Sequence, residues 1–318
     1  MRFFKKITGL QLILALASVL FYSCTMKPQK FTDETPTRGN IKIAVDESYQ
    51  LLAEAELHTF LSTYKDAQVS PVYLPEDSLL KLFLDDSVKV IITSRKLTDN
   101  EVAYLKGKSF VPRTTRIAYD ALAFIVNKSN PDTSIRYNML KDIFSGTTIK
   151  WTQINPQSKL GEIKVVFDNP GSNNVKTIMN KFGITGALPA NCFSATKNSE
   201  VVKYVENNPE ALGIIGVNWI SDPRDSISHS FLSKINVVWV SSELDSDGPE
   251  FYSPHPAYIA NKEYPFIREV YTINRETFAG LGTGFTSFIA GDAGQRIILK
   301  MGMLPASLPI RLIEIKKN

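Results

Sequence analysis

The chain has 318 residues, enough for two domains, or one domain in two lobes, at roughly 100–200 residues per domain. Apolar residues make up 43% and charged residues 21%, which supports a globular core and argues against wholesale disorder. Lys+Arg is 36 against 32 Asp+Glu, too balanced for a non-specific nucleic-acid binder, and 2 Cys and 3 His without metal-ligand spacing give neither a disulfide scaffold nor a zinc site.

Residues 1–23 begin with the positive run Arg2, Lys5 and Lys6, followed by the apolar stretch Ile7 to Tyr22. That pattern predicts a signal peptide, too short and wrongly flanked for a stable span. Cys24 directly follows Ser23, as at a bacterial lipoprotein cleavage box, although Phe21 and Tyr22 are bulkier than that box usually carries. Lipidation of Cys24 would anchor the mature chain to a membrane; the alternative is a single uncleaved anchor helix. Cleavage removes three basic residues and no acid, so the mature chain is nearly neutral. Residues 24–39 are polar with two Pro and read as a tether.

Strands and helices then alternate. Ile41 to Val45 predicts a strand, with Asp46 or Ser48 capping a helix through about Tyr64. Val69 to Tyr73 is a second strand, and Ser78 opens a helix over Leu79 to Leu84. Val88 to Ile92 is a continuous apolar run, as in a buried parallel strand. Thr98 and Glu101 form a capping box. Ile117 to Val126 is a long apolar strand; Tyr137 to Phe144 is a helix stopped at Gly146. Ile163 to Phe167 is a strand that runs through Asp168 into Ser172. After it Val175, Ile178, Met179 and Phe182 form one helix face, ended by Gly183. Ser199 opens a helix stopped by Pro209, and 211–220 and 235–240 read as strands. A helix spans about 285–300, and 310–315 is strand-like. This alternation predicts an α/β fold with mostly parallel sheets flanked by helices.

Three strand-to-helix turns carry polar groups: Asp46-Glu47-Ser48-Tyr49, Thr93-Ser94-Arg95, and Gly171-Ser172-Asn173-Asn174. Helix N-termini present free N–H donors and partial positive charge, which suits an oxyanion. The plainer reading is three ordinary caps.

Several segments resemble one family. Ile117 to Asn127 with Asn130-Pro131 resembles the crossover strand of phosphate-type periplasmic binding proteins. Leu140 to Gly146 with Trp151, Asn169-Pro170-Gly171-Ser172, and Asn208-Pro209 through Gly216 resemble further elements of that family, as do Tyr264 to Arg268 and Gly294 to Ile298. The resemblance covers about 40–316, in the family's order. It implies a type II, two-lobed periplasmic-binding-protein fold with two crossover strands. It places lobe 1 at 40–117 plus 245–318 and lobe 2 at 118–244, with ligand in the cleft between them. It implies ligand contacts at Ser48, Tyr49, Ser78, Thr93, Ser94, Arg95, Ser172, Asn173 and Asn174. The expected function is a lipid-anchored, extracytoplasmic solute-binding protein without cofactor or metal, which hands phosphate or a similar oxyanion to an ABC transporter permease.

Two positions depart from the family. Asp168 stands near the place of the family's phosphate-loop Arg, and Asn173-Asn174 replaces Gly-Thr. No acid follows the strand ending at Thr93, where the family keeps its acceptor for the phosphate proton. The two charges are therefore expected to have exchanged places, with Arg95 as cation and Asp168 as proton acceptor. The competing reading pairs Arg95 with Glu101. Two other functions stay open: a degenerate member that has lost its ligand and serves as a sensor or interaction module, and an envelope hydrolase. The hydrolase would need a nucleophile with a base, and no GxSxG or HExxH is present. Cys192 reads as a packing residue rather than a nucleophile.

Overall fold

The computed structural model describes residues 34–220, 232–245 and 248–307; Cys24, most of the tether and the expected strand over 310–315 lie outside them. β1 (Gly39–Asp46) runs parallel to β2 (Ala67–Leu74) on one side and β3 (Val90–Thr93) on the other. The helices between them, α1 (Gln50–Thr63) and α2 (Glu76–Leu84), return the chain to the same end of the sheet, as parallel pairing requires. α3 (Asp99–Gly107) starts with the expected Thr98–Glu101 capping box.

β4 (Arg113–Asn127), 15 residues long, then crosses the whole molecule. It is four residues longer at its start than the apolar run predicts, because Arg113 to Arg116 pair with β12 (Ile267–Asn274) despite their polarity. β12 lies antiparallel to both β3 and β4. Further along, β4 pairs antiparallel with β8 (Ala211–Gly216), which in turn runs parallel to β6 (Lys164–Phe167), and β6 runs parallel to β7 (Cys192–Ser194). The resulting order is β2-β1-β3-β12-β4-β8-β6-β7, with β9 (Ile235–Val237) and β13 (Leu304–Pro305) also on β4. A second, small sheet joins β5 (Ser134–Ile135), β10 (Trp239–Ser241) and β11 (Phe251–Tyr252).

The second half of the large sheet is covered by α4 (Tyr137–Ser145), α5 (Trp151–Ile154), α6 (Asn173–Phe182) and α7 (Asn198–Asn207). α4 and α6 end at Gly146 and Gly183, whose φ of 81° and 67° only glycine adopts without strain. The expected strand over 211–220 stops at Gly216, where a 3-10 turn, Val217–Trp219, folds the backbone toward β4. The expected helix over 285–300 is two, α9 (Leu281–Ala290) and α10 (Asp292–Lys300), broken by the extended backbone of Gly291. A short α8 (Pro256–Ala260) precedes β12.

One aromatic cluster joins the two halves. Phe124 on β4 meets Phe266 edge-on at 4.8 Å, and Phe266 also contacts Tyr137 and Phe182, which hold α4 and α6. Phe124 and Phe266 are fully buried. Phe124→Ala deletes a ring from this junction and should cost about 3–5 kcal/mol of folding stability. Denaturant titration should show a lower midpoint with an unchanged slope.

Candidate functional site

The carboxyl ends of β1, β3 and β6 and the following turns meet beside the β4–β12 junction. Asp46 closes β1, and its Oδ1 accepts the Ser48 amide N–H at 2.9 Å, which forms the tight turn Glu47–Tyr49 before α1. Ser48 and Tyr49 are fully buried. The Ser48 carbonyl oxygen accepts Asn218 Nδ2 at 3.0 Å and Trp219 Nε1 at 3.1 Å, which ties this turn to the end of β8. At the end of β3, Ser94 turns a buried hydroxyl inward. After β6, Ser172 caps α6 by accepting the Val175 N–H. Asn173 reaches from that cap across to Asp46 Oδ2 and Glu76 Oε2.

At the centre stands Arg268. It lies directly opposite Asp120 in the β12–β4 register. Its Nε donates to Asp120 Oδ2 at 2.8 Å, and its Nη2 sits 2.7 Å from the same oxygen without an aligned hydrogen bond. Its Nη1 donates to Asn174 Oδ1 at 2.8 Å. Asn174 passes the connection on, donating to Asp168 Oδ2, which also receives Asn198 Nδ2. The guanidinium lies 5.1 Å from the Tyr49 ring centre, within cation–π range. Burial opposes the Arg268 charge, but the Asp120 carboxylate and its hydrogen bond offset this and hold the group protonated.

Seven buried polar atoms of this cluster lack an aligned hydrogen bond among the described residues, Ser48 Oγ, Tyr49 OH, Ser94 Oγ, Arg268 Nη2, Asp120 Oδ1, Asp168 Oδ1 and Asn218 Oδ1, although the Tyr49 and Ser94 hydroxyls act on each other and backbone N–H groups reach the Asp120 and Asp168 carboxyls. Buried polar groups are normally satisfied, so these atoms make the cluster the candidate ligand position. Gly216 lets two of them approach: a Cβ there would lie 2.8 Å from Asn218 Oδ1 and 3.2 Å from Arg268 Nη2. The three hydroxyls and the guanidinium can donate, and the three remaining oxygens can only accept. Burial raises the pKa of both Asp120 and Asp168. Glu47 is pushed up to about 7 by burial and by the neighbouring Asp168 and Asp46.

A cleft of about 740 Å³ opens beside the cluster, lined among others by Ser94, Arg95, Lys96, Asn173 and Lys176. Arg95 stands in this mouth rather than among the orphaned atoms. Its two terminal nitrogens grip Glu101 at 2.8 and 2.9 Å, the pairing that competed with the anion-gripping role. Hydrogen bonds from Arg95 draw the Glu101 carboxyl down to about 2. Glu76 offers Arg95 a second carboxylate at 3.5 Å and is approached by Lys176 at the same distance.

Of the expected contacts, the structure gathers Ser48, Tyr49, Ser94, Asp168 and Asn174 around Arg268, with Asn173 and Thr93 alongside through Glu76. Ser172 caps α6 and is buried beside Asp168, which it also hydrogen-bonds. Ser78 is exposed. α2 begins at Glu76, right after Pro75, so Ser78 is turned two residues round the helix from the carboxylate that faces the cleft. The sequence reading missed Arg268, Asp120 and Asn218. The signal was there: Arg268 and Asp120 are single charges in otherwise apolar strand segments, where a charge persists only if paired. The exchange of charges therefore takes a different form, with Arg268 of β12 as the inner cation instead of Arg95.

Among the described residues, His58 is exposed on α1 and His255 caps α8 away from the cluster, and no group of His, Cys, Asp and Glu could hold a metal. Burial pushes the Cys192 thiol up to about 12, as for an inert packing residue.

A curled sheet in two halves with polar turns converging beside the shared strand is the architecture of a two-lobed binding protein. The chain belongs to the PBP superfamily: the model of the PBP superfamily domain matches residues 32–293. Relatives include the phosphate-binding protein PstS of Staphylococcus epidermidis, 22% identical over 290 residues, covering 88% of this chain and 83% of that protein. PstS of Borreliella burgdorferi is 23% identical, covering 92% and 96%. Among solved structures, a Clostridium perfringens protein with bound phosphate, assigned as a phosphate ABC transporter substrate-binding protein, superposes with a TM-score of 0.70 at 22% identity, covering 85% of this chain and all of that one. An ABC-type phosphate transport receptor from Vibrio cholerae gives 0.62 at 18% identity, covering 84% and 100%. These likenesses carry the two-lobed α/β fold, and the relatives are named as binding proteins, the class that the sequence reading preferred to a hydrolase.

Glu47 gives a test of the cluster's electrostatics. Its carboxyl is raised in the folded state, so its contribution to stability is full below about pH 4.5 and is lost as pH rises toward 7. Glu47→Gln should therefore be more stable than the parent at pH 8 and equal to it at pH 4, as read by thermal melts across that range.

Proposed function

We propose that the chain is a lipid-anchored solute-binding protein that captures inorganic phosphate between two lobes and delivers it to an ABC transporter permease. The observation that carries this reading is the set of buried donors around Arg268: its Nη2 has no aligned bond, Tyr49 lies 5.1 Å from the guanidinium, and Ser48 and Ser94 bury hydroxyls on the adjoining turns. In a site closed to water, such donors hold an anion without an equal number of cations. The PstS relatives and the phosphate-bound neighbour give the ligand its name. The intact donor set speaks against the degenerate-module alternative.

In this reading residues 40–117 with 245–318 form one lobe and 118–244 the other, and closure brings Asn173 and Lys176 onto Asp46, Glu76 and Asp77. The contacts Asn173–Glu76 and Lys176–Asp77 support it, because each joins the two sets of residues. No helix of the described residues is long and apolar enough to cross a membrane. We assign attachment to a lipid on Cys24, which the signal-like residues 1–23 before it support.

Calorimetric titration tests the ligand and the site together. Arg268→Ala should weaken phosphate binding about a hundredfold or more, the upper range for a charge-assisted contact. Arg95→Ala should weaken it less than about tenfold, since Glu101 already occupies that guanidinium. Equal losses in both would move the anion to the cleft mouth. For the anchor, Cys24→Ala should leave the precursor unprocessed or free the protein from the membrane; unchanged membrane attachment would remove the lipid from the account.

A further inference from the structure

We propose that the end of lobe 1 where the tether enters rests on the lipid bilayer, with Val111 and Phe278 in the interface and Arg38, Lys106, Lys108 and Arg113 on anionic headgroups. The proposal rests on the lipid-anchor reading above and specifies which face of the body meets the membrane.

Topology gathers this patch. The tether joins the body through a tight turn in which Thr35 and Arg38 exchange backbone hydrogen bonds, and β1 begins at Gly39. β12 ends and β4 begins toward the same end of the sheet, because Asn274 pairs with Arg113 on one side and with Val90 of β3 on the other. The segments that flank these strand ends, 107–112 and 275–280, are fastened together. The Arg275 guanidinium lies 4.0 Å from the Phe110 ring centre, and Arg113 Nη2 donates to the Glu276 carbonyl oxygen at 3.2 Å. Pro36 packs on the start of α9 so closely that a Cβ on Gly284 would lie 1.7 Å from its carbonyl oxygen.

The chemistry of the patch fits a lipid surface. The run from Lys106 to Arg113 holds Lys106, Lys108 and Arg113 and no acid, residues 277–280 carry no charge, and Arg38 adds a further base. Val111 is 66% exposed and Phe278 42%. One exposed apolar side chain is ordinary, but two on neighbouring loops among cations combine apolar contact with attraction to anionic lipid. Tyr104 is half-exposed, with Lys108 Nζ 4.3 Å from its ring centre, and such amphipathic rings settle at headgroup level. The acids of this end, Asp66, Asp85 and Asp86, stand on the turns before β2 and β3 beside Lys65 and Lys89, and Asp86 is paired with Lys89 at 2.8 Å.

Only residues 25–34 separate Cys24 from Thr35, a reach of at most about 40 Å. A lipid on Cys24 therefore keeps this end within that distance of the bilayer and raises the effective concentration of its weak contacts. The carboxyl ends of β1 and β3, where the cleft opens, lie at the other end of the same strands, so the resting pose leaves the cleft facing water. A few exposed side chains hold the body reversibly, so it can lift away to deliver its ligand.

The test is tryptophan fluorescence of the full-length protein in vesicles of phosphatidylglycerol and phosphatidylcholine, with and without brominated acyl chains, which quench an indole on contact. Val111→Trp and Phe278→Trp should each add emission that brominated lipid quenches, beyond the parent with its own Trp151, Trp219 and Trp239. Phe193→Trp, on β7 at the far edge of the sheet, should add emission that it does not quench. Lys106→Glu combined with Lys108→Glu should remove most of the quenching in Val111→Trp, since each base near an anionic surface is worth about fivefold in partition. Vesicles of phosphatidylcholine alone should remove it too, and quenching that survives both changes would overturn the role given to the lysines. Quenching in Val111→Trp no greater than in Phe193→Trp, on vesicles that carry the protein, would overturn the proposal while leaving the anchor in place. A blue-shifted emission from Val111→Trp without quenching would mean that a second protein surface covers the patch, and would also overturn it. A parent protein that does not float with the vesicles would overturn the anchor reading itself, and this proposal with it.

Discussion

The rest of the site depends on one cross-strand ion pair. Arg268 and Asp120 face each other where β12 and β4 pair, 7% and 0% exposed, at the seam of the two sheet halves. Removing one partner from a buried pair costs about 3–5 kcal/mol because the other charge is left uncompensated. Here the pair does more than balance itself. Asp120 holds the guanidinium by Nε and leaves Nη1 for Asn174 and Nη2 without an aligned bond. The orientation of Arg268 thus fixes Asn174, Asn174 fixes Asp168, and the three turns are arranged around that chain.

This arrangement separates two kinds of cation. Arg95, Lys96, Lys176 and Lys181 line the open cleft, where water and neighbouring carboxylates screen them. Such charges suit drawing an anion toward the mouth. In the proposed reading the holding falls to neutral hydroxyls and one buried guanidinium, which act at short range and low dielectric.

Much of the fold was legible in the sequence, for physical reasons that can be named. Continuous apolar runs gave β1, β3, β6 and the core of β4, and Gly146 and Gly183 closed their helices in the left-handed conformation expected of them. Polar turns at strand ends pointed to Ser48, Ser94 and Asp168. β12 escaped because Arg268, Glu269 and Thr272 interrupt its apolar pattern, although Arg268 and Thr272 are buried. The inner cation lay in that strand, so the site was read with Arg95, the guanidinium next in sequence to a turn. Sequence neighbourhood carries no information about a register partner 148 residues away. Ser78 was displaced by a smaller effect: helix α2 begins three residues earlier than its serine suggests, and that turns Glu76 inward.

The most direct measurement is a crystal structure of the protein grown with phosphate near pH 6. The account predicts tetrahedral density within hydrogen-bond distance of Arg268 Nη2, with Ser48, Tyr49 or Ser94 on one side and Asp168 on the other. Density held instead by Arg95 and Lys176 at the cleft mouth, with the inner cluster unchanged, would contradict it.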